Sequence, residues 1–188
     1  MKHIPIAAGI VASLAFASIA EAGCKIETHR DAFAATEWRF VKVKLTPFDV
    51  LLITHDGSAF GLDMKLSAPG SHAYTSSKGD SSQFLLDNGK ILDLVQIADA
   101  TSQAHATVTQ QGYGTSTAYT ASGAIHTFTQ WALRFALPDA DLDALSNAPL
   151  THVRVRFADE QALEAKLKPG PSKKVQKAAK CLSSAISR

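Results

Sequence analysis

The sequence predicts a mainly β chain: an antiparallel β-sandwich or open barrel of roughly eight to eleven strands, with a short helix near 139–146 and one C-terminal amphipathic helix. Three observations carry that expectation. Apolar and polar residues alternate with period two through most of the chain. Two pairs of hydrophobic runs are joined by Asp-Gly and Asn-Gly, strong short hairpin signals. Only the lysine-rich C-terminal stretch switches to a sustained helical spacing.

The chain starts Met1-Lys2-His3, continues with 17 uncharged residues from Ile4 to Ala20, and reaches Ala20-Glu21-Ala22 before Gly23. This order of basic start, apolar run and small residues reads as a secretory signal, residues 1–22, cleaved after Ala22. The run sits at the lower limit for a bilayer-spanning helix, and Pro5 near its start argues for removal. The expected protein is exported, periplasmic or extracellular, with residues 23–188 as a single β-rich globular domain. Taking 22 residues from 188 leaves 166, which buries roughly two-thirds of its unfolded surface and needs no metal to fold.

Export gives the two cysteines their meaning. Cys24 and Cys181 stand 157 positions apart, and in an oxidising compartment an even pair is most simply a disulfide. A loop of that length would stabilise by about 5 kcal/mol in the chain-entropy account. Gly23-Cys24 also permits lipid attachment at Cys24, although Glu21 stands where such signals carry Leu.

Along the body, Val50-Leu51-Leu52-Ile53 is apolar on both faces and reads as a strand inside a sheet. His55-Asp56-Gly57-Ser58 turns it back into Phe60, Leu62, Met64 and Leu66, a strand with one buried face. Phe84–Leu86, Asp87-Asn88-Gly89-Lys90 and Ile91–Leu94 repeat the pattern. From Ala98 to Ala124 the residues are mostly Thr, Ser, Ala, Gln and Gly. Weak strands near 104–109 and 115–120 are expected there, joined at Gly112-Tyr113-Gly114 as an edge hairpin projecting into solvent. A long strand follows from about Ile125 to Leu137, with Thr127, Thr129, Trp131, Leu133, Phe135 and Leu137 on one face and Pro138 at its end. Asp139 then caps a short helix. Val153, Val155 and Phe157 pair with Leu163, Ala165 and Leu167 across Asp159-Glu160-Gln161, with Arg156 opposite Glu164. Pro169-Gly170-Pro171 leads into a helix over 171–186 whose apolar stripe is Val175, Ala178, Ala179, Leu182 and Ile186.

Charge is uneven. Residues 23–164 carry 11 basic and 16 acidic residues, whereas 165–188 carry seven basic and no acidic ones. His152, Arg154 and Arg156 alternate with the apolar set of their strand, and Lys166 and Lys168 do so on the next. Arg154, Arg156, Lys166 and Lys168 are therefore the candidate binding residues, for an anionic or acidic partner, joined by the helix lysines. Nucleic acid is not expected, because aromatic residues do not interleave the cations and export removes that partner. Membrane contact would come from a lipid on Cys24 or from the basic helix on acidic lipid.

Motifs that would name a reaction are missing: there is no Gly-x-Ser-x-Gly, His-Glu-x-x-His, phosphate-cradling glycine loop or Cys-x-x-Cys. No catalytic residue, metal site or cofactor is assigned. Asp139-Ala140-Asp141-Leu142-Asp143 starts like a calcium loop but lacks its Gly and its final Glu, and reads as acids at a helix start. His29, His55, His72, His105, His126 and His152 show no ligand-pair spacing.

A barrel followed by a helix, with a disulfide to the tail, resembles the lipocalins in architecture. Their Gly-x-Trp is not present here, since Trp38 follows Thr36-Glu37, and no family is assigned. The leading functional expectation is a non-catalytic exported binding or interaction module, its partner a macromolecule or small ligand. A small-ligand carrier comes second, with Trp38, Phe60, Met64, Phe84, Trp131 and Phe135 lining a barrel cavity. A hydrolase assembled from distant residues comes third.

Overall fold

The computed structural model describes residues 25–30, 37–46, 49–115, 118–158 and 161–186, with the backbone alone for 107–125. In chain order its elements are β1 (Glu27–Arg30), β2 (Glu37–Lys44), β3 (Val50–His55), β4 (Phe60–Pro69), β5 (Ser81–Leu86), β6 (Ile91–Val95), β7 (Thr101–Thr115), β8 (Ala118–Ala136), α1 (Asp139–Asn147), β9 (Leu150–Arg156), β10 (Ala162–Lys166) and α2 (Pro169–Ile186). They form two antiparallel sheets, of order β1-β2-β3-β4-β8-β7 and β10-β9-β5-β6. The sheets do not close into a barrel. Of the two architectures the sequence allowed, the paired open sheets are the one formed.

Period-two patterning explains the layers. In β4 the buried residues are Leu62, Met64, Leu66 and Ala68, and in β8 they are Thr129, Trp131, Leu133 and Phe135. The register sets Leu62 opposite Phe135 and Leu66 opposite Trp131, so both sets share one face. Phe84, Leu86, Leu92, Leu94, Val153 and Val155 supply the facing layer. Phe84 meets Phe135 edge-on at 5.3 Å, and Trp131 packs on Phe157 at 5.3 Å. Sheet faces packed this way repel water over large apolar area, at about 25 cal/mol per Å² buried.

α2 covers what the second sheet does not. Its buried Val175, Ala178, Ala179 and Leu182 join the same core as Val41, Val43, Leu51 and Ile53 of β2 and β3, and the helix contacts β2, β3, β9 and α1. It starts at Pro169, two residues before the expected 171. Both prolines then fall in the first turn, where backbone N–H groups have no intrahelical acceptor to lose. α1 begins directly after Pro138, and no side chain caps it, so Asp139 is its first residue and not its cap.

Turns differ from expectation in two places. His55 pairs Phe60, so the loop holds four residues where Asp-Gly suggested two. Asp56 organises it, accepting from Ser58 N–H, Ser58 hydroxyl and Ala59 N–H at 2.8–2.9 Å. Those donors, the Ala59 amide first, hold its carboxyl down at about 2. Gly57 takes φ +95° in the same loop. In the uncharged stretch, Gly112 and Gly114 pair Ala121 and Tyr119 inside the ladder, so the chain reverses beyond Thr115 and not at 112–114.

The crossover from β4 to β5, residues 70–80, is pinned by three buried side chains. Thr129 hydroxyl donates to the Gly70 carbonyl (3.0 Å) and accepts from His72 N–H (2.9 Å). Trp131 Nε1 donates to the Tyr74 carbonyl (3.1 Å). Gln96, 1 % exposed, donates to the carbonyls of Ser76 (3.1 Å) and Ala98 (2.7 Å) and accepts from the Ser76 hydroxyl (2.8 Å). Gln96 also bridges to Phe135, linking the end of β6 to the larger sheet. No helix among the described residues is long and apolar enough to cross a membrane.

Candidate functional site: the outer face of the four-stranded sheet

Residues of β5, β6, β9 and β10 that point away from the core form cross-strand rows. Lys166 pairs His152, His152 pairs Leu85, and Leu85 pairs Ile91. The next row runs Glu164, Arg154, Gln83 and Asp93. Beyond it Ala162 pairs Arg156, and Ser81 pairs Val95.

The middle row is one hydrogen-bonded relay across all four strands. Arg154 Nε donates to Glu164 Oε1 (2.6 Å) and its Nη1 to Gln83 Oε1 (3.3 Å), while Gln83 Nε2 donates to Asp93 Oδ1 (3.2 Å). Charge-assisted bonds hold Arg154 in place, so it orders the face. The expected Arg156–Glu164 pairing is replaced by Arg154–Glu164, two residues along. That register, with Arg156 opposite Ala162, is continued by Phe157 N–H donating to the Gln161 carbonyl at 2.9 Å.

Arg156, Lys166 and Lys168 are exposed, and of the four candidate cations Arg154 alone forms an ion pair with another described residue. On the same face, near the β6 edge, Ile91 is 51 % and Val95 48 % exposed, with Leu85 half-buried between. Ile97 follows at 44 %. The face is thus cationic toward β10, neutralised in its middle row and aliphatic toward β6.

The α2 lysines do not extend this patch. Lys173, Lys174, Lys177 and Lys180 are exposed on a helix whose buried stripe shares the core with Val153 and Val155, whereas Arg154 and Arg156 occupy the other side of β9. The sequence placed both sets in one surface because strand periodicity does not reveal which side a later helix covers. Cys181 is buried at 6 % beside the α2 stripe, and no cysteine among the described residues is free; Cys24 lies outside them.

The residues proposed for a carrier cavity have other duties. Met64, Phe84, Trp131 and Phe135 are buried in the core, Phe60 packs half-buried against it, and Trp38 stands outside at 38 % exposed under the Arg134 guanidinium, 5.6 Å from its ring centroid. The larger sheet instead carries an outer groove of about 490 Å³, with Val50 and Leu52 among its lining and Lys42, Lys65, Asp63 and Arg134 around them. Arg134 is tied to Asp63 by two bonds, 3.1 and 3.3 Å.

The histidines are dispersed. His55 Nδ1 accepts from Gly57 N–H, His72 bonds the Pro69 carbonyl and stacks on Tyr74, and His105 stacks on Phe128. Asp139, Asp141 and Asp143 lie in the first turns of α1, and Asp141 meets Lys90 at 3.8 Å. Sequence reasoning missed Ile91, Val95 and Gln83 as parts of this surface. The alternation of Ile91, Asp93 and Val95 with Leu92 and Leu94 was the available signal, hidden because Ile91 and Val95 are as apolar as the buried leucines. The chain matches no family model, no curated protein and no solved structure.

Proposed function

We propose that this chain is an exported interaction module that docks an acidic, partly apolar protein surface on the outer face of β10-β9-β5-β6. One observation carries the reading: Ile91 and Val95 are about half exposed on the same sheet face as Arg156 and Lys166. Exposed aliphatic area beside cations that form no ion pair with another described residue suits a partner that buries the first and pairs with the second. The relay through Arg154 supports this by linking side chains of all four strands before binding. A disulfide between Cys24 and Cys181 belongs to the same proposal; it would fasten α2 to the start of the domain.

Site-specific photocrosslinking from position 95, in cells of the native host, tests it. A discrete adduct is expected, lost in Arg156→Glu/Lys166→Glu and absent when the probe sits at Lys44 on the other sheet. Equal adducts from both faces, or an adduct indifferent to charge reversal, overturn it. The groove favours a second reading, binding of a small organic anion: Lys42 and Lys65 flank an aliphatic floor of fitting volume. Calorimetric titration with octanoate, repeated on Lys42→Glu/Lys65→Glu, decides that reading; heat unchanged by the substitutions ends it.

A further inference from the structure

The larger sheet ends in a border unlike its others. β7 stands last in the sheet and pairs β8 throughout, from Thr101↔Ala132 to Thr115↔Ala118. β8 in turn pairs β4 only as far as Pro69↔Phe128, with one further bond from Gly70 N–H to the Thr127 carbonyl. Beyond that point residues 106–115 and 118–127 form a two-stranded ribbon of ten cross-strand pairs. At ~3.4 Å per residue it reaches about 34 Å. A two-stranded ribbon is marginally stable by itself in water, and among the described residues no strand pairs its outer borders over 106–115 and 118–125.

Its composition does nothing to guard those borders. From Ala100 to Leu133, 34 consecutive residues contain no Asp, Glu, Lys, Arg or Pro. At the chain's charged fraction of 19 % about six charges would fall there. Charges and proline are the usual means of stopping edge-to-edge association. The other outermost strands carry them: Glu27 and Arg30 on β1, Asp93 on β6, Glu164 and Lys166 on β10.

We infer that this ribbon is a self-assembly element along which a second copy of the chain pairs, strand to strand. Three features select a copy of the chain over a different partner. Among the described residues no strand pairs the outer border of β7 or that of β8 over 118–125, so each molecule offers two borders that a copy of itself can join. The absence of charge offers no sign by which an unlike partner could be chosen, and it removes the like-charge opposition that penalises identical strands. The ribbon also continues an existing sheet, so each added strand extends a ladder already formed. Pairing of β7 to a neighbour's β8 is head-to-tail, and it propagates to a ring or a filament.

Sedimentation of the full chain across a wide concentration range, with hydrogen exchange on the same samples, tests the inference. The expected result is a mass that rises with concentration, and amide exchange in 106–115 and 118–127 that slows about tenfold on concentration. Thr109→Lys/Gln111→Lys places charge on the border and is expected to stay monomeric with an unchanged melting midpoint. A wild-type chain that remains monomeric throughout overturns the proposal, as does a doubly substituted chain that assembles like wild type. So does a monomer that releases dye from phosphatidylglycerol vesicles, which would make the ribbon a membrane element. Exchange in the wild type reads the ribbon directly if the substituted chain fails to fold, and none of these results bears on the outer face of the other sheet.

Discussion

Replacing Gln96 by Met keeps the volume of a buried side chain and removes three hydrogen bonds at once. The Ala98 carbonyl loses its donor, the Ser76 carbonyl keeps only the Ala100 N–H at 2.8 Å, and the Ser76 hydroxyl keeps only the Asp80 carboxylate at 3.5 Å. Each of the two bonds to Ser76 contributes about 1 kcal/mol net, because both Ser76 groups retain another partner. The Ala98 bond is only part-buried and Ala98 itself exposed, so water replaces that one at small cost. The sum is about 2 kcal/mol, which for a domain of this size lowers the melting midpoint by about 4–8 °C. Urea unfolding of Gln96→Met should show a lower midpoint with an unchanged slope. Ser76→Ala removes one partner and should cost about 1 kcal/mol. Because the two share a bond, their effects should fall short of additivity by at least ~0.5 kcal/mol. A Gln96→Met chain within about 1 kcal/mol of wild type, or strictly additive effects, would refute the view that this side chain anchors the crossover.

Other consequences are as direct. Asp56→Ala should cost about 1 kcal/mol at neutral pH, a modest figure because the carboxylate is mostly solvent-exposed. Its folded pKa is depressed, so the stabilisation is present above the unfolded value near 3.8 and is lost as pH falls through about 2; pH-resolved melting of both chains should converge at the acid end. At Gly61 an added Cβ would lie 2.7 Å from Thr54 Oγ1, so Gly61→Ala should destabilise by about 1–2 kcal/mol and Thr54→Ala should restore most of it. For the proposed Cys24–Cys181 bond, intact mass should rise by two hydrogens on reduction, with stability falling by about 2–4 kcal/mol. An acyl-sized increment on Cys24 would show a lipid anchor instead.

Much of the fold was legible because one physical rule governs it. Strands with one wet face must alternate, and the alternation in 62–66 and 129–137 identifies the buried set without reference to any partner, although Thr127, expected on that face, is exposed. The ends of elements were less legible. Asp56-Gly57 carries the residues of a two-residue turn, yet the carboxylate finds three donors in a longer loop and the hydrogen bonds decide. Gly112 and Gly114 suggested a reversal, but glycine also fits a ladder, and the strands run through it. The candidate surface was half legible. Arg154, Arg156 and Lys166 were placed on the correct face of their strands, but a register two residues away from the expected one exchanged their roles. Which strand lies beside β9 was not readable, because β5 comes from a distant part of the chain, and with it came Gln83, Leu85 and the exposed edge of β6.

The seating of α2 has a consequence for the order in which the chain can fold. β2 and β3 are neighbours in sequence and can pair early at little entropic cost. Their aliphatic face, Val41, Val43, Leu51 and Ile53, has as its cover a helix more than a hundred residues downstream. Until residues 169–186 dock, that face is open to any chaperone, membrane or neighbouring chain that meets it. Closure of the domain therefore reports that synthesis has passed α2. Chains cut short before α2 carry the mark of their incompleteness on the outside.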